Sequence, residues 1–126
     1  MENLINLKKL DISGNMVNDI SMLRNLKKLE VLIVSFNEIN NISLLSELTK
    51  LTYLYLSNNQ ISDITALAEL TNLKKLNLSN NQISDISALM KLKKLKSLII
   101  GGNPLSAEQI AELRKTLPKT EIIADY

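Results

Sequence analysis

The 126-residue sequence predicts an α/β solenoid with a parallel β-sheet along one side, and three observations carry that expectation. Asn15, Asn37, Asn59, Asn81 and Asn103 stand 22 residues apart. Each closes the phrase Leu-x-x-Leu-x-(Leu/Ile/Val)-x-x-Asn, with copies beginning at Leu7, Leu29, Leu51, Leu73 and Leu95. Between the copies a second apolar series recurs with a spacing of three. A chain of this kind is nearly one-dimensional, because each unit buries its apolar face only against its neighbours.

The third copy shows what each position does. Leu51, Leu54 and Leu56 point inward, and Tyr53, Tyr55 and Ser57 point outward. The alternation from Tyr53 to Ser57 predicts a short strand with one buried face. Successive copies stack about 4.8 Å apart as a parallel sheet. Asn59 follows the strand, where the chain must turn and leave backbone groups inside with no ladder partner. A side-chain amide carries donors and an acceptor and satisfies both kinds. The five asparagines therefore read as a structural ladder rather than as ligand contacts. A 22-residue period with this phrase marks a leucine-rich-repeat array.

The second half of each unit carries Val17, Ile20, Leu23, Leu26, then Ile39, Ile42, Leu45, Leu48, then Ile61, Ile64, Leu67, Leu70, then Ile83, Ile86, Leu89, Leu92. A spacing of three suits a 3₁₀ turn better than an α-helix. Asp19, Asn41, Asp63 and Asp85 hold one equivalent position and read as a turn or cap that accepts backbone N–H groups. One carboxylate per unit is far from the six to eight oxygens of a calcium cage, so no metal is expected.

From Ser106 the pattern changes. Ser106-Ala107-Glu108-Gln109 is a capping box, and Ala107, Ile110, Ala111, Leu113 and Leu117 form the apolar face of the helix it opens. Pro118 stops that helix, and Glu121, Ile122 and Ile123 read as a last short strand. Residues 106–126 thus predict a C-terminal α-helical cap on repeats 7–105, with residues 1–6 a partial repeat and residues 1–126 one domain. Met1 and Leu4 fall in register with Leu23 and Leu26. Glu2, Asn3 and Asn6 shield that end, or an N-terminal domain or a second copy of the chain covers it; the last alternative is a homodimer.

Composition excludes most chemistry. There is no histidine and no cysteine, which removes the usual acid–base side chain, thiol nucleophiles and most zinc sites. Gly101-Gly102 lacks the lysine of a phosphate-binding loop, and only Asp11 supplies a carboxylate on the outward strand positions. No catalytic residue, cofactor or small-molecule substrate is therefore expected. Net charge is +2, and no apolar run reaches the ~18–20 residues of a membrane span. Met1-Glu2-Asn3-Leu4 leads straight into repeat pattern without a signal peptide. As it stands the chain reads as cytoplasmic, and as cell-surface if it is part of a longer protein.

The pattern Leu-x-x-Leu-x-Leu-x-x-Asn-x-Ile-x-Asp-Ile-x-x-Leu-x-x-Leu, with Leu-Ser-Asn-Asn-Gln-Ile-Ser-Asp-Ile at 56–64 and 78–86, resembles the 22-residue repeats of bacterial internalins. The resemblance implies a right-handed horseshoe, with strands on the concave face and 3₁₀ turns on the convex face. It also implies a protein–protein interaction module working through the concave face. Leu117-Pro118-Lys119-Thr120 looks like the start of a cell-wall anchor, but Glu121 follows where glycine is required.

The outward strand positions are where the repeats differ. One row reads Lys9, Val31, Tyr53, Lys75, Ser97, the next Asp11, Ile33, Tyr55, Asn77, Ile99, and a third Ser13, Ser35, Ser57, Ser79, Gly101. Val31, Ile33, Tyr53 and Tyr55 predict a contiguous apolar and aromatic patch, with Lys75 and Asn77 beside it. Phe36, where other repeats carry Gly or Asn, extends the patch at one rim. Tyrosine offers large rigid area with a polar tip, which suits the centre of an interface. These seven residues are the candidate partner site. Lys8, Lys9, Lys27, Lys28, Lys50, Lys74, Lys75, Lys93, Lys94 and Lys96 gather where the convex segment meets the next strand. They read as a solvated edge that keeps the array soluble, with a weak, non-specific polyanion or acidic-partner site as the alternative. The absence of arginines and of interleaved aromatics argues against nucleic acid there.

Overall fold

The computed structural model describes residues 2–124. Six three-residue strands form one parallel sheet in chain order: β1 (Lys9–Asp11), β2 (Val31–Ile33), β3 (Tyr53–Tyr55), β4 (Lys75–Asn77), β5 (Ser97–Ile99) and β6 (Glu121–Ile123). Their register is the one the repeat demands. Leu10, Leu32, Leu54, Leu76, Leu98 and Ile122 line up across the sheet. Five 3₁₀ helices, Glu2–Asn6, Ser21–Asn25, Ser43–Glu47, Thr65–Glu69 and Ser87–Lys91, run along the opposite side. The fold is a leucine-rich-repeat horseshoe, with the sheet on the concave face and the 3₁₀ turns on the convex face.

Each turn starts as its sequence predicts. Ser21 N donates to Asp19 Oδ1 at 2.8 Å, and Ser43 N, Thr65 N and Ser87 N donate to Asn41, Asp63 and Asp85 Oδ1 at 2.9 Å. Leu23 N then reaches Ile20 O and Leu26 N reaches Leu23 O, both at 2.9 Å, a bond every three residues. That period sends Ile20, Leu23 and Leu26, and their equivalents, into the core between sheet and turns. Each fully buried Leu or Ile is worth ~1.5–3 kcal/mol. A net hydrogen bond is worth about 1 kcal/mol. Burial therefore supplies the larger share of stability, and the polar turn residues decide where the chain bends.

Two expectations about local geometry need correction. The strand predicted over Tyr53–Ser57 ends at Tyr55. Ser35 and Ser57, read as outward-facing, are buried, and Ser57 Oγ donates to Ser35 Oγ at 3.0 Å. The chain has begun its turn by then, so these small hydroxyls stack from repeat to repeat instead of facing solvent. The acidic residue on the concave strands is also not Asp11 alone, because β6 adds Glu121 in register with Ser97.

The C-terminal segment forms helix α1 (Ala107–Thr116) behind an intact capping box. Gln109 N donates to Ser106 Oγ at 3.1 Å, and Ser106 N donates to Gln109 Oε1 at 2.9 Å. Glu108 in the first turn and Arg114 and Lys115 in the last suit the helix dipole. Leu113 and Leu117 are buried against the last repeat and Ile110 is half-buried, but Ala107 and Ala111 are exposed. The apolar stripe in contact with the repeats is narrower than the sequence predicts, confined to Ile110, Leu113 and Leu117. Arg114 Nη1 donates to Ile122 O at 3.1 Å, and Thr120 Oγ1 donates to Leu95 O at 2.7 Å, which together hold β6 on the sheet.

At the other end, Leu7 N bonds Leu4 O as Leu29 N bonds Leu26 O, so Leu4 is in the register predicted for it. Leu4, Leu7, Leu10, Ile12 and Val17 are half-buried, whereas Leu26, Leu29, Leu32, Val34 and Ile39 one repeat later are buried. The expectations for Met1 and for the side chains of Glu2 and Asn3 lie outside the described residues.

Candidate protein-docking face

Period-two alternation projects the odd residues of every strand from the core onto the concave face. One row is Lys9, Val31, Tyr53, Lys75, Ser97 and Glu121, and the next is Asp11, Ile33, Tyr55, Asn77, Ile99 and Ile123. Val31 is in register with Tyr53, and Ile33 with Tyr55. Tyr53 is in register with Lys75, and Tyr55 with Asn77. At a strand spacing of about 4.8 Å these side chains are direct neighbours. Six of the seven candidate residues therefore share one surface. Val31, Ile33, Tyr53, Tyr55 and Asn77 are half-buried by their neighbours, and Lys75 is exposed. Lys75 Nζ lies 5.5 Å from the centroid of the Tyr53 ring. The contact is within the range of a cation–π pair.

Phe36 sits at the rim, two residues past the buried row, and is 63% exposed. Its φ is +58°, in the left-handed region. Gly14, Asn58, Asn80 and Gly102 occupy the equivalent turn with φ between +58° and +73°. Glycine and asparagine tolerate this conformation, whereas a residue with a bulky side chain gives up about 1–2 kcal/mol. Phe36 thus combines backbone strain with a large apolar side chain held out in water. Met16, at φ +56° and 74% exposed, is a second strained apolar residue in the turn next to it.

Asn77 is only in part a surface group. Its Oδ1 accepts Ser79 N at 3.0 Å and Ser79 Oγ at 2.8 Å, leaving the amide NH₂ for a partner. Asp11, in the same row, accepts Ser13 N at 3.0 Å. That backbone bond, with the charge of Lys9, holds its carboxyl below the usual range.

The ladder beneath this face anchors its rim. Asn59 Nδ2 donates to Leu56 O at 3.0 Å and to Val34 O at 3.1 Å, and Asn59 Oδ1 accepts Ile39 N at 3.0 Å. Asn37, Asn81 and Asn103 repeat the scheme with Ile12, Leu56 and Leu78 carbonyls of the preceding repeat. Asn15 departs from it. It is exposed, and its side chain donates to Ile12 O and Ser13 O of its own turn, while its backbone N–H donates to Asn37 Oδ1 of the next repeat at 2.9 Å.

Three contributors were not among the candidate residues. Ile99 continues the Ile33–Tyr55 row, and its alternating position already carried the signal. Glu121 and Ile123 join the face only because β6 adds to the sheet after the helix, outside the 22-residue period. The convex side offers a wide depression between the turns Ser43–Glu47 and Thr65–Glu69, lined by Asn41, Ser46, Asp63 and Glu69 among others. Asn41 and Asp63 are already committed to the N–H groups of Ser43 and Thr65 in the turns that lead into those helices, so it is an open groove between repeats. No helix among the described residues is long and apolar enough to cross a membrane.

Known proteins carry the same architecture. The family described as Leucine Rich repeats (2 copies) matches residues 27–69 and 71–115. An internalin (inlF) from Listeria monocytogenes superposes with a TM-score of 0.80 at 30% identity, covering 97% of this chain and 48% of that one. An internalin C2 from the same organism gives 0.82 at 32% identity, covering 92% and 50%. A leucine-rich-repeat protein of Leptospira interrogans gives 0.84 at 31%, covering 95% of this chain and 31% of that one. The chain spans half or less of the length of each of these structures. No curated protein sequence matches it.

Proposed function

Because this chain belongs to the leucine-rich-repeat family, we propose that its 126 residues act as one non-catalytic domain that binds a partner protein through the concave face. Protein–protein interaction is the general property of the family. The single observation that carries the finer reading is Phe36. A side chain this large in a left-handed turn loses stability while staying 63% exposed, and such strain gathers at binding sites. It stands at the rim of the strands that present Val31, Ile33, Tyr53 and Tyr55, with Lys75 and Asn77 in the next strand.

Tyr53→Ala combined with Tyr55→Ala tests the reading. Both tyrosines project from the sheet away from the core, so circular dichroism and melting are expected to stay near wild type. Truncating an interface-centre tyrosine removes about 2 kcal/mol or more of binding, roughly a thirtyfold loss per site. Affinity capture with the double variant should lose the main partner that the parent chain retains. A partner captured equally by both would place the site elsewhere.

A further inference from the structure

We infer that the segment bound on this face is acidic: it sets apolar side chains against Ile33, Tyr53, Tyr55 and Phe36, and carboxylates against the lysines on the edge where the strands begin. The inference rests on the concave-face reading and adds the chemistry of the partner.

The net charge of +2 hides a strong asymmetry. Lys8, Lys28, Lys50, Lys74, Lys94 and Lys96 occupy the two repeat positions flanking the first leucine of each phrase, and all are exposed. Glu30 is the one acid at those positions. Among the balancing carboxylates, Asp19, Glu47, Asp63, Glu69 and Asp85 lie on the convex turns, and Asp11 and Glu121 stand on the two outermost strands of the concave sheet, away from Tyr53 and Tyr55. The ion pairs among the described residues are convex as well: Glu47 takes Lys27 at 2.8 Å and Arg24 at 3.6 Å. Two of the edge lysines rest on neutral amides instead. Lys28 Nζ donates to Asn6 Oδ1 at 2.8 Å, and Lys94 Nζ donates to Asn72 Oδ1 at 3.0 Å. These bonds aim the ammonium groups and leave their charge uncompensated.

The charged edge and the apolar patch are one surface. Glu30, Lys50, Thr52, Asn72, Lys74 and Lys94 wall an open depression on the edge. Thr52 leads directly into Tyr53 and Lys74 into Lys75, whose ammonium lies over the Tyr53 ring. The opposite rim, Gly14, Phe36, Asn58, Asn80 and Gly102, carries no charge. Crossing from the Lys50 position to the Phe36 position covers eight residues of a repeat, at most roughly 26 Å at about 3.3 Å per residue. A partner crossing this face thus meets cations on one side and an aromatic anchor on the other, which sets its orientation. Exposed lysines on such an edge act mainly by steering and orienting an oppositely charged partner. A phosphate backbone would use the lysines but gain nothing from Val31, Ile33 and Ile99, so a protein segment fits the whole surface better.

A random peptide-display library panned on the folded chain tests this, with heparin as the control polyanion. The expected result is enrichment of peptides rich in Asp and Glu next to aromatic or branched apolar residues. Binding of a selected peptide should disappear with Tyr53→Ala, Tyr55→Ala. It should fall roughly tenfold or more with Lys50→Glu, Lys74→Glu, Lys94→Glu, chiefly through slower association. The milder Lys→Gln triple variant should give a smaller loss in the same direction, and circular dichroism should show both folded. Tyrosine-dependent peptides that are neutral or basic, and indifferent to the lysine changes, would overturn the acidic partner while leaving the concave-face reading in place. Absence of enrichment, or peptides indifferent to the tyrosines, would overturn both. Heparin bound as tightly as the peptides, with no effect of the tyrosine changes, would make the edge a general polyanion site and overturn the inference.

Discussion

Asn59 Oδ1 accepts the backbone N–H of Ile39 at 3.0 Å, twenty residues upstream in the preceding repeat. The same side chain donates to Leu56 O in its own turn and to Val34 O in the repeat before. One amide thus joins two successive turns. Its replacement by leucine adds apolar area yet leaves buried backbone groups without partners, and the unpaired groups dominate. Asn59→Leu is expected to destabilise the fold by about 1–3 kcal/mol. Melting at or above the parent temperature would remove the ladder argument.

Phe36 offers the opposite sign. Asparagine already fills its turn in the next two repeats at almost the same φ. Phe36→Asn should therefore raise stability, by up to ~1 kcal/mol in denaturant titrations, while weakening partner binding. A loss of stability would mean that the exposed ring packs usefully where it stands, and would separate Phe36 from the docking face.

Acid should weaken the convex turns. The backbone N–H bond from Ser21 is the main cause that holds Asp19 below the usual aspartate range, and that from Ser87 does so for Asp85. For Asp63 the Thr65 hydroxyl acts first and its backbone second. A carboxyl whose pKa is lower folded than unfolded contributes stability that is complete above its unfolded value, about 3.9, and is lost as pH falls through the folded one. Stability should hold from neutral pH down to about pH 4 and decline below it. Changing Asp19, Asp63 and Asp85 to Asn keeps the acceptor, as Asn41 does in repeat two, and should shift the acid transition to lower pH. Urea midpoints at pH 7 and pH 3 that change equally in parent and triple variant would contradict this.

The C-terminal cap is bound by more than apolar contact. Gln109 Nε2 donates to Ser84 O at 2.6 Å, and Leu113, Leu117 and Ile122 cover the last repeat. Deleting residues 106–126 should uncover that core and produce aggregation or a broad, uncooperative melt. A soluble monomer melting as the parent does would show that the segment is dispensable for closing the core.

Periodicity made most of the fold legible. The asparagine phrase, the three-residue apolar series and the Ser106–Gln109 box each report a local backbone requirement, and those requirements are met where the residues stand. The strand rows followed as well, because alternation assigns every side chain a face. Ser35 and Ser57 misled that reading because alternation stops where the chain bends, and no residue type marks that point.

The candidate site divides along the same line. Which residues face outward, and that Tyr53 and Tyr55 neighbour Val31 and Ile33, follow from a one-dimensional repeat whose register admits a single alignment. The left-handed backbone of Phe36, the return of Asn77 Oδ1 to Ser79, the arrival of Glu121 and Ile123 on the concave face and the neutral partners of Lys28 and Lys94 were decided by tertiary structure. They depend on how neighbouring repeats and the cap settle against one another, and a period counted along the chain carries no information about contacts made across it.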